Sequence, residues 1–401
     1  MKRALQKPKR AAPEYPEWVE ASRLSFEEKF LKLPRPSLKS EAYRFCPLPK
    51  QKLSNRIAPT TVKSKLLDLS KKSLSSKLLV ASLRDRADQD LIQDHWEASP
   101  QIADDYFVNG VMAYWQDGFF IPVPKDSKSV DSIQFRSLFD EKDSRFVTRN
   151  LIVLEENSEA KMIEELLSIP NEQINNSLFL CFTRILLKKG SKLHYSQWQN
   201  FSTRVQHFCR YEFILEEGAQ LVHQSVSLGG HRGQTRMELK CAGPNASVKS
   251  ENLTWMSGNQ QYDFWVRSFH DTAQTQSELC FKAIADDKAQ INFNGNIEIT
   301  DTGQKTEAHQ LSKSLLLSPR ASITTSPKLE IAADDVQVTH GASISSINDE
   351  QLYYLQTRGI SKEEAAQMII DAMAEPVIQR IPEADVQGII RKELQLKRMG
   401  K

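Results

Sequence analysis

The sequence predicts a mainly β chain, with a β-solenoid core set between helical ends. Three observations lead there. Residues 101–340 fall into short alternating runs rich in β-branched and aromatic side chains. A loose repeat of turn residue, small residue and branched apolar residue recurs through the same region. Beyond residue 340 the apolar period lengthens from two to that of an amphipathic helix. The chain thus divides into an N-terminal helical and loop region (1–100), a β core (101–340) and a C-terminal helical unit (341–401).

In the first region, Leu24, Phe26, Phe30, Leu31 and Leu33 stand at near-helical spacing until Pro34 and Pro36 stop the helix. Residues Val62 to Leu83 read as a second, basic amphipathic segment. Basic residues gather here: Lys2, Arg3, Lys7, Lys9 and Arg10 meet no acid, and 50–77 is Lys-rich with only Asp68 opposing.

Strand runs include Leu178–Phe182, Val205–Cys209 and Asn292–Ile299, whereas 158–168 reads as an amphipathic helix. The repeat occurs as Gly190-Ser191-Lys192-Leu193, Gly218-Ala219-Gln220-Leu221, Asn245-Ala246-Ser247-Val248, Lys288-Ala289-Gln290-Ile291 and Arg320-Ala321-Ser322-Ile323. Ordinary antiparallel hairpins fit this pattern about as well. A solenoid is preferred because each small residue can sit where adjacent coils approach closely.

In the last region Asn348 can cap a helix that Leu352, Tyr353, Leu355 and Gln356 carry to Gly359, a good C-terminal stop. Ser361 and Glu364 then form a capping box, with Ile360 placed as its staple residue. Ala365, Met368, Ile369, Ala372 and Met373 mark the apolar stripe of a second helix. Pro376 should kink or end it.

The bulk numbers exclude several classes. The 401 residues suffice for one main body with smaller attached units, and 26% charged against 40% apolar residues is ordinary for a globular chain. A net charge of +2 favours neither nucleic acid nor membrane. Five cysteines, odd in number and never in a CxxC pair, suit a reducing compartment such as the cytoplasm. The basic N-terminus has no apolar core of a signal peptide, and Glu14 and Glu17 argue against a transit peptide.

Conventional enzyme signatures are missing: there is no P-loop, nucleophile elbow, HExxH or dinucleotide fingerprint. Gly229-Gly230-His231-Arg232-Gly233 lacks the Lys-Ser/Thr of a phosphate loop and reads as a strand connection. His207 and Cys209 share one face of a strand, where they could bind a soft metal or simply fill the core. His194, His223, His270 and His309 read as surface or satisfied core groups. His340 differs, because it stands after the strand Asp335–Val338 and before a helical unit, a junction that leaves an imidazole accessible.

Family resemblance enters with the run Gly303-Gln304-Lys305-Thr306-Glu307-Ala308-His309-Gln310, then Ser314–Ser318, Pro327–Ile331, Asp334–Val336, Thr339-His340-Gly341-Ala342-Ser343 and Leu352–Ile360. In order and spacing these blocks resemble the C-terminal half of the SufB/SufD family. Leu33-Pro34-Arg35-Pro36, then Lys39, Glu41, Tyr43-Arg44-Phe45 and Pro47-Leu48, is similar to that family's N-terminal segment. Residues 50–290 match in texture only.

The resemblance implies a right-handed parallel β-helix with helical ends. It implies pairing of SufB with SufD through the β-helix ends, and one SufC ABC-type ATPase held by each C-terminal unit. Such a complex assembles iron–sulfur clusters, SufC hydrolysing ATP and SufD being linked to iron acquisition. SufB-like members carry a cysteine before the Leu-Leu-Leu block and a glutamate after the last strand's histidine. Ser312 and Gly341 stand there, so the chain resembles the SufD-like form.

His340 would then be the cluster and metal ligand facing the partner's cysteine. Val338 replaces the cysteine that SufD-like members often carry two residues earlier. Leu352, Tyr353, Tyr354, Leu355, Arg358, Gly359 and Ile360 would form the ATPase dock, with hot-spot residue types among them. The expected protein is a non-catalytic subunit that binds a transient cluster only together with SufB and can pair with itself when isolated. The competing readings are solenoid modules for nucleic acid or glycan. They rest on the Lys-rich 50–77 stretch and on Asp286-Asp287 and Asp334-Asp335.

Overall fold

A computed structural model describes residues 15–39, 43–44, 63–70, 80–86, 90–97, 99, 102–174, 176–347 and 349–399. Its centre is a parallel β-solenoid. One sheet has the strand order β1-β4-β6-β8-β10-β12-β14-β16-β18, the other β17-β15-β13-β11-β9-β7-β5-β3-β2. The chain alternates between them. Strands β4 (Ile133–Asp140), β6 (Glu159–Ile169), β8 (Lys192–Asn200), β10 (Gln220–Ser227), β12 (Ser247–Met256), β14 (Gln276–Ala285), β16 (Thr306–Leu316) and β18 (Val336–Ser346) run parallel in the first. In the second run β3 (Phe119–Val123), β5 (Arg145–Leu154), β7 (Ser177–Leu187), β9 (Val205–Leu215), β11 (Arg232–Cys241), β13 (Gln261–His270), β15 (Gln290–Ile299) and β17 (Ser322–Ile331). Register pairs such as Gln206 with Arg232 and Glu159 with Lys192 set the coil length. Parallel pairing removes the hairpin alternative.

The sequence repeat marks corners. Gly190, Gly218 and Asn245 have positive φ at the turns entering β8, β10 and β12, and Asn157, Gln274 and Lys305 hold the same place in neighbouring coils. Gly190 and Gly218 meet this conformation without steric cost. Corner N–H groups donate to the next coil's turn, as from Gly190 to Glu217 O (2.8 Å) and from Gly218 to Pro244 O (2.9 Å). Ala219, Ala246 and Ala289 follow, fully buried where coils touch. The last two repeats enter the opposite sheet, at β15 and β17, which is why the spacing looked irregular.

Inward side chains fill the lumen with stacked rings and aliphatics, among them Phe281 and Phe293 with centroids 4.3 Å apart. The expected helix at 158–168 is strand β6. Met162 and Leu166 face the lumen while Ile163 packs outward against the C-terminal helices, so burial on both faces blurs the strand's alternation.

The N-terminal end is capped. Strand β1 (Lys65–Asp68) pairs antiparallel with β4, and β2 (Ala81–Ser82) with β3. The expected basic amphipathic segment is therefore extended at 65–68, with Leu66 packed on the first coil, and 71–79 lies outside the described residues. Helix α1 (Glu17–Lys32) and α3 (Tyr106–Tyr114) cover the outer face of β3, β5, β7 and β9 through Val19, Phe26, Phe30, Phe107 and Val111. A short α2 (Asp90–Asp94) adds Ile92.

The C-terminal unit has three helices, α4 (Asp349–Thr357), α5 (Lys362–Ile378) and α6 (Ala384–Arg398), where two were expected. The capping box of Ser361 and Glu364 is present, and Gly359 at φ 84° closes α4 with Ile360 N–H donating to Leu355 O (3.2 Å). The Asn348 cap lies outside the described residues. Pro376 lies inside the last turn of α5, which ends at Ile378. The buried stripe is Ala365, Ile370, Ala374, Val377 and Ile378, while Met368 and Ala372 are exposed. This offset arises because α5 lies on the outer face of the first sheet, against Trp198, Leu253 and Trp255, and that face selects the contact side.

Candidate functional site

The two ends of the solenoid differ. The first coil is closed by antiparallel strands, but β17 and β18 are edge strands with no coil beyond them among the described residues. An exposed edge is a template for strand pairing and is ordinarily blunted by charge or cover. Strand β18, eleven residues reading VQVTHGASISS, carries no Asp, Glu, Lys or Arg, and Ile344 is 45% exposed. The other edge strand, β17, is blunted by Lys328 and Glu330, so the uncharged edge is that of β18.

His340 lies in the middle of β18, a correction to the expected strand-to-helix junction. The strand continues to Ser346 because Gly341–Ser346 pair with Leu311–Leu316 of β16. Inward and outward positions follow from the neighbours: Val336 and Val338 pack against the last core cluster with Ala308. By alternation His340 also faces the lumen. It is exposed because nothing stacks on the last coil. Ser312 pairs with Ala342 and Gly341 with Leu311. A Cβ at Gly341 would meet only Leu311, at an ordinary 3.5 Å.

The structure does not gather a metal site around His340. Among the described residues no three His, Cys, Asp or Glu side chains converge as a metal would require. His309, next in sequence register, faces the other side of the sheet and shares a hydrogen bond with Thr339 (2.8 Å). An imidazole at an open edge can give one ligand to a centre completed by a second chain.

His207 and Cys209 are core groups. Burial pushes the imidazole down to about 3 and the Cys209 thiol well above its ordinary range. The glycine-rich stretch serves this packing, since a Cβ at Gly230 or Gly233 would meet the His207 ring at 2.7 or 2.2 Å. The stretch connects β10 to β11, as read. His223 bonds Ser250 (2.9 Å) and Gln197 (3.1 Å), and His270 bonds Thr275 (2.8 Å). Asp286-Asp287 and Asp334-Asp335 lie in turns.

The sequence reading missed a polar knot in the lumen. Glu164 accepts from Tyr195 (2.9 Å), Tyr211 (3.0 Å) and Gln197 (2.5 Å). Burial raises its carboxyl above the ordinary range against the pull of those bonds. It also missed Gln310, which pairs in register with His340. The alternation Ala308, Gln310, Ser312 marks Gln310 as inward, and that was the available signal.

Among the residues expected to form an ATPase dock, Tyr353 and Tyr354 are 70% and 58% exposed, and Arg358 lies over the Tyr354 ring at 5.3 Å. Leu352 is 6% exposed and packs inward, so it supports α4 from within. Leu355 is half-buried. Gly359 and Ile360 line a groove of about 940 Å³ with Leu317, Ile347, Met368 and Ile370. Among the described residues no helix is long and apolar enough to cross a membrane, and Cys181, Cys209, Cys241 and Cys280 are free thiols.

Comparison with known proteins identifies the family. Residues 137–373, from β4 into α5, match the family described as SUF system FeS cluster assembly, SufBD core domain. Protein ABCI7, chloroplastic, of Arabidopsis thaliana is 28% identical over 298 residues, covering 72% of this chain and 61% of that protein. The iron-sulfur cluster assembly protein SufB of Bacillus subtilis is 24% identical over 297 residues, 74% of this chain and 63% of that one. The iron-sulfur cluster assembly protein SufD of Escherichia coli is 30% identical over 228 residues, 56% and 53%. The chain therefore spans less than two thirds of the length of these relatives.

Proposed function

The chain belongs to the SufB/SufD family of the SUF iron–sulfur cluster assembly system, and from that premise we propose that it is a SufD-like, non-catalytic scaffold subunit. Similarity reaches relatives named SufB and SufD alike. The SufD-like reading rests on Ser312 and Gly341, which stand where SufB-like members carry cysteine and glutamate.

One observation carries the proposal: the charge-free edge β18, with His340 on its lumen side, at the only open end among the described coils. A SufB-like β-helix that adds its own last strand to this edge would satisfy the open backbone groups and bring its ligands to His340. The cluster is cargo, held transiently between the two subunits, and His340 supplies one borderline nitrogen ligand to incoming iron. A SufC-like ATPase docks on Tyr353, Tyr354 and Arg358 with the groove behind them, and supplies the ATP hydrolysis. Free buried thiols agree with a cytoplasmic setting. When isolated, the chain can pair with itself through the same edge.

The test is co-expression with SufB-like and SufC-like partners, followed by size-exclusion chromatography and anaerobic iron and sulfide analysis. Ile344→Lys should abolish pairing with the SufB-like subunit. His340→Ala should leave pairing intact and sharply lower the iron and sulfide content. Wild-type cluster levels in the His340→Ala complex would sink the ligand role.

A further inference from the structure

The coil beneath the open end holds a carboxamide whose oxygen has no partner. Gln310 is 3% exposed, and its Oε1 is buried without a hydrogen bond. Its Nε2 lies 3.5 Å from the Gly295 carbonyl on β15, across the lumen. Gly295 makes the room: a Cβ there would stand 2.4 Å from both terminal atoms of Gln310. The lumen at this level is shaped around the amide.

Directly above, His340 is the register partner of Gln310. Both occupy inward positions on paired strands about 4.8 Å apart, so the two side chains belong to one column of the lumen. A neutral imidazole has one N–H donor and one lone pair. A histidine that ligates metal through one nitrogen ordinarily donates the other ring N–H to a carbonyl or carboxylate, which sets the tautomer. His340 has such an acceptor within its own column of the lumen, in Gln310 Oε1. Ser312 and Ser314 also carry buried hydroxyls without partners, but they pair with Ala342 and Ile344, further along the strand.

We propose that Gln310 is the positioning residue for His340. When the ring turns into the lumen mouth, Gln310 Oε1 accepts one imidazole N–H, and the other nitrogen presents its lone pair to the open end. Gly295 and Gln310 form the fixed seat, and His340 is the movable part. This rests on the reading of His340 as a ligand.

The test uses the full chain labelled with ¹⁵N-histidine, with His340 assigned by its loss in His340→Ala. Long-range ¹H–¹⁵N spectra report the tautomer of each imidazole. Wild type should show one dominant His340 tautomer. Gln310→Met, similar in size but without the acceptor, should give a mixture, with His223 and His270 unchanged as a check on folding. Gln310→Glu restores an acceptor, so it should return the single tautomer. An unchanged tautomer ratio in Gln310→Met overturns the proposal. If Gln310→Met fails to fold, a Gln310→Glu chain whose His340 shows a mixture of tautomers overturns it equally. Metal ligation is judged separately by the iron content of the His340→Ala complex. A tautomer that depends on Gln310, beside wild-type iron in that complex, would keep the contact and discard the ligand.

Discussion

Asp105 joins the N-terminal helices to the solenoid by dividing its carboxylate between two tasks. Oδ1 caps α3 by accepting from the backbone N–H groups of Phe107 (2.8 Å) and Val108 (3.0 Å). Oδ2 accepts from Arg210 of β9 (3.1 Å) and lies 3.3 Å from Arg236 of β11. One side chain thus ties a helix start to two coils.

Asp105→Ala should therefore destabilise the chain by about 3–5 kcal/mol, as expected for breaking a buried charge pair. Burial pushes this carboxyl up, but Arg210, Arg236 and the α3 amides together hold it below its ordinary value. A carboxyl with a lowered folded pKa adds stability above its unfolded value of about 3.9, and that stability is lost as pH falls through the folded value. Thermal melts between neutral pH and pH 3 should lose this acid-side slope in Asp105→Asn. An identical slope in the two proteins would refute the linkage.

Lys397 of α6 should give the C-terminal unit an alkaline dependence. Its ammonium donates to Leu228 O (2.7 Å) and Gln260 Oε1 (2.7 Å), and burial lowers its pKa to about 8. Between about 8 and the unfolded value of about 10.4 the unfolded chain binds the extra proton, so stability rises with pH. Hydrogen exchange in α6 should slow, relative to Lys397→Met, as pH rises through that window. A constant difference between the two proteins would exclude the effect.

The corner alanines should tolerate no added bulk. Ala246 is fully buried where β12 begins, between the corners of adjacent coils. Ala246→Leu should cost about 1–3 kcal/mol by overpacking, read as a lowered urea midpoint. A midpoint equal to wild type would show that the corners have slack.

The proposed ATPase dock is best tested on its surface. Removing residues 348–401 would uncover Trp198, Leu253 and Trp255, which α5 and α6 bury. Tyr353→Ala with Tyr354→Ala leaves that cover in place and should change stability by about 0.5 kcal/mol or less for each exposed site. Binding of a SufC-like ATPase, measured by calorimetry, should weaken at least about tenfold if these rings are interface anchors. Unchanged affinity would move the dock elsewhere on the unit.

The sequence alone determined the strand-rich core, the corner repeat, the capping box at Ser361 and the stop at Gly359. These are local: a period of two, a positive-φ turn and a cap are each written within a few residues. It also carried the family resemblance, with His340 and the dock residues as expectations.

Only the tertiary structure decided what depends on which surface meets which. Burial of β6 on two faces made 158–168 resemble a helix. The contact side of α5 was chosen by the sheet beneath it, which turned Met368 outward and Ile370 inward. His340 is exposed by its place in the last coil rather than by any neighbour in sequence. Its pairing with Gln310 is a register between strands thirty residues apart, and no local pattern can specify a register that exists only once the coils are stacked.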